Sequence, residues 1–194
     1  MIWGIGKNFA ADLSAVQGTD SLLGFNEPDH KNQQSILTSS VVSVWPQLSA
    51  SARRVGSPAA ARALGPWMQD FYKQAEKNNL KIDFIAVHWY GKPDAKRFLR
   101  FLRRVYESYQ KPLWITEFAV ADWEAARKGM KNRYSVSLVK EFMREVLPEL
   151  EKLDYVERYA WFGIPCRYKD AIGHSMFFSS DGALTELGIF YATY

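Results

Sequence analysis

Short, nearly unbroken apolar runs alternate along this chain with stretches in which apolar residues recur every three or four positions. The runs fall at residues 2–6, 22–27, 55–58, 83–90, 113–119 and 156–163. Such runs suit parallel strands buried on both faces. Between them, Phe98, Phe101, Leu102, Val105 and Tyr109 form a helical stripe. Trp67, Phe71 and Ala75 form a second stripe behind Pro66, a good first helical residue. Leu138, Val139, Phe142, Val146 and Leu150 form a third, which Pro148 is expected to kink or restart. Residues 39–53 read as a helix of open boundary because they contain Pro46. Asp181-Gly182 reads as a turn, and 184–194 as a closing helix. Strand and helix in alternation predict a parallel α/β fold. Glu27, Ser57, His88, Tyr90, Glu117 and Trp161 sit at the C-terminal ends of the strand candidates. In a (β/α) barrel that end carries the active site. No glycine-rich nucleotide fingerprint or phosphate loop is present. No linker or low-complexity stretch divides the sequence, so residues 1–194 are expected to be one domain.

Composition changes this picture little. The chain is 47% hydrophobic and 15% aromatic, with seven Trp, ten Tyr and twelve Phe, enough for a substantial core. Most of these rings should be core, although sugar clefts also use aromatic platforms. The net charge of +4 is concentrated in residues 96–104, where basic and apolar residues alternate at helical spacing. That pattern predicts the solvated face of an amphipathic helix rather than a nucleic-acid patch. Cys166 is the sole cysteine, which excludes an intrachain disulfide, and it is expected to be inert. No apolar run reaches transmembrane length, and residues 1–6 do not resemble a signal peptide.

Two segments carry the candidate chemistry. Gly24-Phe25-Asn26-Glu27-Pro28 and Trp114-Ile115-Thr116-Glu117-Phe118 each bring a strand-like run to a carboxylate. A glutamate at the end of a buried strand costs free energy unless it is paired or used. Retaining glycoside hydrolysis uses two carboxyls about 5–5.5 Å apart, one protonated to donate and one ionised to attack. Sequence alone does not fix which of the two is the acid. His88 reads as a hydrogen-bonding partner of a carboxylate or sugar. His30 and His174 lack metal-ligand spacing, so neither metal nor cofactor is expected.

Five motifs in order extend beyond this chemistry. They are Gly24-Phe25-Asn26-Glu27-Pro28-Asp29, Gly56-Ser57-Pro58, residues 83–90 ending in His88-Trp89-Tyr90, Trp114-Ile115-Thr116-Glu117-Phe118, and residues 157–162 ending in Trp161-Phe162. The tail from Ser180 to Gly188 fits as well. Together they resemble glycoside hydrolase family 128, compact (β/α)-barrel β-1,3-glucanases of the retaining clan A, across essentially the whole chain. The resemblance implies Glu27 as general acid/base and Glu117 as nucleophile. It implies Asn26 as a ligand of the sugar 2-hydroxyl, and His88 and Tyr90 as cleft-lining residues. Trp161 is implied as a floor for the reacting sugar, and Trp123 as a further stacking ring. Family members usually carry two βα units before the strand that residues 2–6 match. Six strand candidates are therefore read as an incomplete TIM-type barrel. Its open edges would favour self-association.

The expected function is endo-acting hydrolysis of β-1,3-glucan by double displacement. The alternative is an impaired barrel that binds β-glucan without cleaving it. The expected partner is a β-1,3-glucan chain, with neither nucleic acid nor membrane. A polymeric substrate of this kind implies a secreted or extracellular location.

Overall fold

The structure, a computed structural model, describes residues 1–33, 35–164 and 169–194; Cys166 lies outside the described residues. Its elements run α1 (Phe9–Ala15), β1 (Thr19–Leu22), α2 (Thr38–Ser51), β2 (Ala52–Val55), α3 (Pro66–Lys77), β3 (Ile85–Gly91), α4 (Ala95–Tyr109), β4 (Leu113–Val120), α5 (Trp123–Arg127), α6 (Val136–Leu150), β5 (Val156–Trp161), α7 (Lys169–Ile172) and α8 (Glu186–Ala192). The strands form two parallel sheets, β1-β2 and β3-β4-β5. Contacts group the chain into two compact units, residues 1–88 with 104–116 and residues 89–103 with 117–194.

In the first unit β1 pairs with β2 in the register Thr19↔Ala52, Ser21↔Arg54 and Leu22↔Val55. A parallel bridge from Gly56 to Phe84 continues the pairing. β1 begins earlier than the apolar pattern suggests, at polar Thr19. Of its four residues only Leu22 is buried, so backbone pairing rather than hydrophobicity places it. Residues 2–6 form no strand of their own. Ile2 N–H donates to the Leu23 carbonyl and Asn26 N–H to the Trp3 carbonyl, which lays residues 2–3 beside the extension of β1. The core gathers round Trp45 of α2. Its ring meets Phe71 of α3 at 5.0 Å and Phe25 edge-on at 6.5 Å, and its indole N–H donates to the Lys81 carbonyl. Pro66 opens α3 as its pattern predicts, but the buried stripe is Met68, Phe71 and Ala75. Trp67 is half-buried and donates to the Ile36 carbonyl.

In the second unit Phe98 stacks on Phe118 at 5.4 Å, Trp89 on Phe142 at 5.5 Å, and Phe118 meets Trp161 edge-on at 5.0 Å. Ser135 caps α6 by accepting from the Leu138 N–H. Pro148 neither restarts nor ends α6. It falls in the last turn, and the helix continues to Leu150. The buried stripe is Val139, Phe142, Met143, Val146, Leu147 and Leu150, which leaves Leu138 exposed. Gly182, at φ +84°, makes the expected turn, and Thr185 then caps α8. Along α4 the buried residues are Ala95, Phe98, Leu102, Val105 and Tyr109. The basic residues Lys96, Arg97, Arg100, Arg103 and Arg104 are exposed. Among the described residues no helix is long and apolar enough to cross a membrane.

Candidate active site

Glu27 belongs to the first unit, just beyond β1. The two glycines of the neighbouring motifs sit where a side chain has no room, Gly24 against backbone and Gly56 against a ring. A Cβ on Gly24 would lie 3.0 Å from Pro58 N and the Ser57 carbonyl, and one on Gly56 would enter the Phe84 ring. Glu27 then takes φ +42°, a left-handed conformation that costs an L-residue about 1–2 kcal/mol. The residue before a proline is biased toward extended backbone, so the neighbouring chain must impose this turn. Glu27 N–H donates to the Ala59 carbonyl, and its own carbonyl accepts from His30 N–H. Asp29 pins the following loop by accepting from Ala61 and Arg62 N–H.

The Glu27 side chain meets His88 of β3, with Oε1 3.2 Å from Nδ1. Burial, the largest single influence, pushes the Glu27 carboxyl up. The His88 hydrogen bond, the charges of His88 and His30, and a hydrogen bond from Gln33 together outweigh it, so the carboxyl lies below its ordinary 4.5. The histidine charges act only while the imidazoles are protonated. Asn26 is buried, and its Oδ1 has no hydrogen-bond partner among the described residues. A buried amide oxygen without a donor costs free energy unless something supplies one.

Glu117 belongs to the second unit, in the C-terminal half of β4, and is half-buried. Tyr90, at the end of β3, donates its hydroxyl to Glu117 Oε2 at 2.6 Å, a charge-assisted bond when the carboxylate is ionised. The Tyr90 ring is held edge-on between Trp123 (6.3 Å) and Phe162 (5.8 Å). The Trp123 indole N–H donates to the Tyr90 carbonyl at 3.3 Å. Trp161 has only 8% of its surface exposed. Its N–H donates to the Ser175 carbonyl, and its ring stacks on Phe177 at 6.2 Å, so the face offered to a sugar is small.

Of the residues singled out from sequence, Glu27 is brought together with His88, and Glu117 with Tyr90 and Trp123. Asp122 and Arg133 carry no assignment from sequence, and Phe162 only a place in a motif. Asp122, a helix-capping residue type directly before Trp123, was the available signal.

A family model described as a glycosyl hydrolase catalytic core matches residues 1–191. The chain belongs to this family, glycoside hydrolase family 128. Among curated proteins, alkali-sensitive linkage protein 1 of Schizosaccharomyces pombe is 31% identical over 193 residues. That match covers 95% of this chain and 35% of the relative, so the chain spans about a third of that protein's length. A subgroup I family 128 endo-β-1,3-glucanase of Amycolatopsis mediterranei, solved with laminaritriose, is 30% identical with a TM-score of 0.81. It is matched over 100% of this chain and 80% of its own. A subgroup V exo-β-1,3-glucanase of Cryptococcus neoformans is 25% identical with a TM-score of 0.75, over 90% and 69% of the two chains. The parallel α/β fold is thus the TIM-type fold of family 128.

Proposed function

We propose that this chain is a retaining glycoside hydrolase that cleaves β-1,3-glucan internally, with Glu27 as acid/base and Glu117 as nucleophile. The observation that carries the reading is that each strand-end glutamate has its own partner on β3: His88 for Glu27, Tyr90 for Glu117. Identity to the Amycolatopsis endo-glucanase is higher than to the Cryptococcus exo-enzyme, which favours internal cleavage.

In the first step a Glu117 oxygen attacks the anomeric carbon. The glycosidic C–O bond breaks, and the leaving oxygen takes its proton from Glu27. In the second step Glu27, now a carboxylate, removes a proton from water. The water oxygen attacks the same carbon, the ester bond breaks, and Glu117 leaves as carboxylate. Neither step calls for a metal. Tyr90 holds one Glu117 oxygen and so orients the other. To act as the acid, Glu27 must hold a proton when substrate is bound. The histidine charges are part of what holds its carboxyl down, beside the hydrogen bonds from His88 and Gln33, and burial pushes it up. The Asn26 amide oxygen, without a partner among the described residues, suits a sugar hydroxyl donor. A polymeric β-glucan substrate places the protein outside the cell.

The test is reducing-sugar release from laminarin. The wild type should release oligosaccharides of mixed length. Glu117→Gln should lose turnover by about 10⁴-fold or more, and Glu27→Gln by about 10²–10⁴-fold on unactivated glucan, both with the fold intact. Retention of laminarin without sugar release by the wild type would replace this reading with a glucan-binding one. Release of single sugars from one chain end would replace internal with terminal cleavage.

A further inference from the structure

Asp122 is more heavily held than a helix cap requires. Its carboxylate, 1% exposed, accepts from Ala125 N–H at 3.1 Å, which alone would cap α5. It also takes three bonds from Arg133: the backbone N–H at 3.0 Å, Nε at 2.7 Å and Nη2 at 2.6 Å. Arg133 Nη2 reaches Glu124 as well, at 3.1 Å. The guanidinium fork holds the Asp122 carboxyl well below the ordinary aspartate range. Burying a charge for capping alone is poor economy of stability, since apolar packing often does as well. What the arrangement supplies is fixed geometry on a helix of five residues, far too short to hold itself.

The clamped segment leads to Glu117. Trp123 directly follows Asp122 and is the first residue of α5. Its ring and N–H abut Tyr90, whose hydroxyl donates to Glu117. The surroundings are tied down in the same way. Asp122 N–H and the Asn132 amide both donate to the Ala171 carbonyl, and Ser175 Oγ donates to the Val120 carbonyl. Beneath lies a small apolar cluster of Ala121, Ala171 and Ile172, against which Tyr90, Trp123 and Phe162 pack.

We propose that Asp122 and Arg133 are positioning residues, which set Trp123 against Tyr90 and thereby keep the Tyr90 hydroxyl on Glu117. This rests on the reading of Glu117 as the nucleophile. Arg133 bonds to Asp122 and Glu124, and Asp122 adjoins Trp123, so the proposed route to Glu117 runs through the Trp123–Tyr90 contact.

The experiment reads the Glu117 side-chain carboxyl carbon by NMR in glutamate-labelled protein, with Glu117→Gln to assign the resonance. Tyr90→Phe should displace it. Arg133→Ala should displace it in the same direction, and in the Tyr90→Phe background should displace it no further. Asp122→Asn keeps an acceptor for α5, and Arg133→Lys keeps the charge without the fork. Both should give intermediate displacements, and both serve if Arg133→Ala does not fold. On laminarin, Arg133→Ala should lower kcat by about ten- to a hundredfold with KM little changed, as misplacement of a reacting group does. Combined with Tyr90→Phe it should add almost nothing. A wild-type Glu117 resonance in the folded Arg133 and Asp122 variants overturns the proposal. So do kinetic effects of Arg133→Ala and Tyr90→Phe that multiply independently. A wild type that releases no sugar overturns the glycosidase reading, and the resonance still decides the clamp.

Discussion

Glu27 carries two kinds of information of unequal legibility. Its carboxylate at the end of an apolar run announced a function, because burial without use is costly. Its left-handed backbone left no such mark, since the following Pro28 argues for the opposite conformation. Residues held in such conformations cluster at functional sites, where surrounding structure overrides local preference. The strain is measurable without the side chain. Glu27→Ala and Glu27→Gly both remove the carboxylate and its bond to His88, so their difference isolates the backbone. Glu27→Gly should be the more stable by about 1 kcal/mol in urea unfolding, the reverse of the usual order. Equal stabilities would mean that no strain is stored there. Asp122 and Arg133 escaped notice for another reason. They lie eleven positions apart, and no periodic pattern links a helix cap to a loop arginine.

At the scale of elements, the apolar pattern located the helices well but their inner faces less well. In α3 Met68 rather than Trp67 completes the buried stripe, and in α6 Leu138 is exposed while Met143 and Leu147 join the buried face. A stripe wider than 100° admits neighbouring phases, and packing chooses among them. Two substitutions in α6 check this. Leu147→Ala should cost about 2–5 kcal/mol, as core truncations do, and Leu138→Gln should stay within about 0.5 kcal/mol of wild type. The reverse order by chemical denaturation would place Leu138 inward. Pro148 was expected to kink or restart α6, and no restart occurs. In the last turn its missing N–H and its clash affect little helix, and α6 runs on.

For the whole molecule, alternation of apolar runs with helical stripes was sufficient to specify a parallel α/β fold. The strand boundaries were less legible, because β1 is largely polar and residues 2–3 hydrogen-bond without forming a strand. Stability against alkali is a property of the whole fold with a legible origin. Tyr109 is buried, donates to the Ala63 carbonyl, and packs on Tyr72 at 4.8 Å. Burial pushes its hydroxyl up from 10.0 to about 12. The raised group favours the folded state fully below about 10, and that contribution is lost as pH rises through about 12. Unfolding free energy should therefore fall between pH 10 and 12. Tyr109→Phe should lower stability by about 1 kcal/mol at neutral pH through the lost hydrogen bond, and flatten the alkaline decline. An equally steep decline in the variant would assign the effect to other tyrosines.

Both glutamates draw their partners from β3, His88 and Tyr90 standing two residues apart on one strand. Any slip of that strand by a single residue would exchange its faces and strip both carboxylates of their partners in one event. The two halves of the chemistry are therefore inherited together: a one-residue insertion or deletion early in β3 should silence both at once, whereas point changes elsewhere can erode them singly.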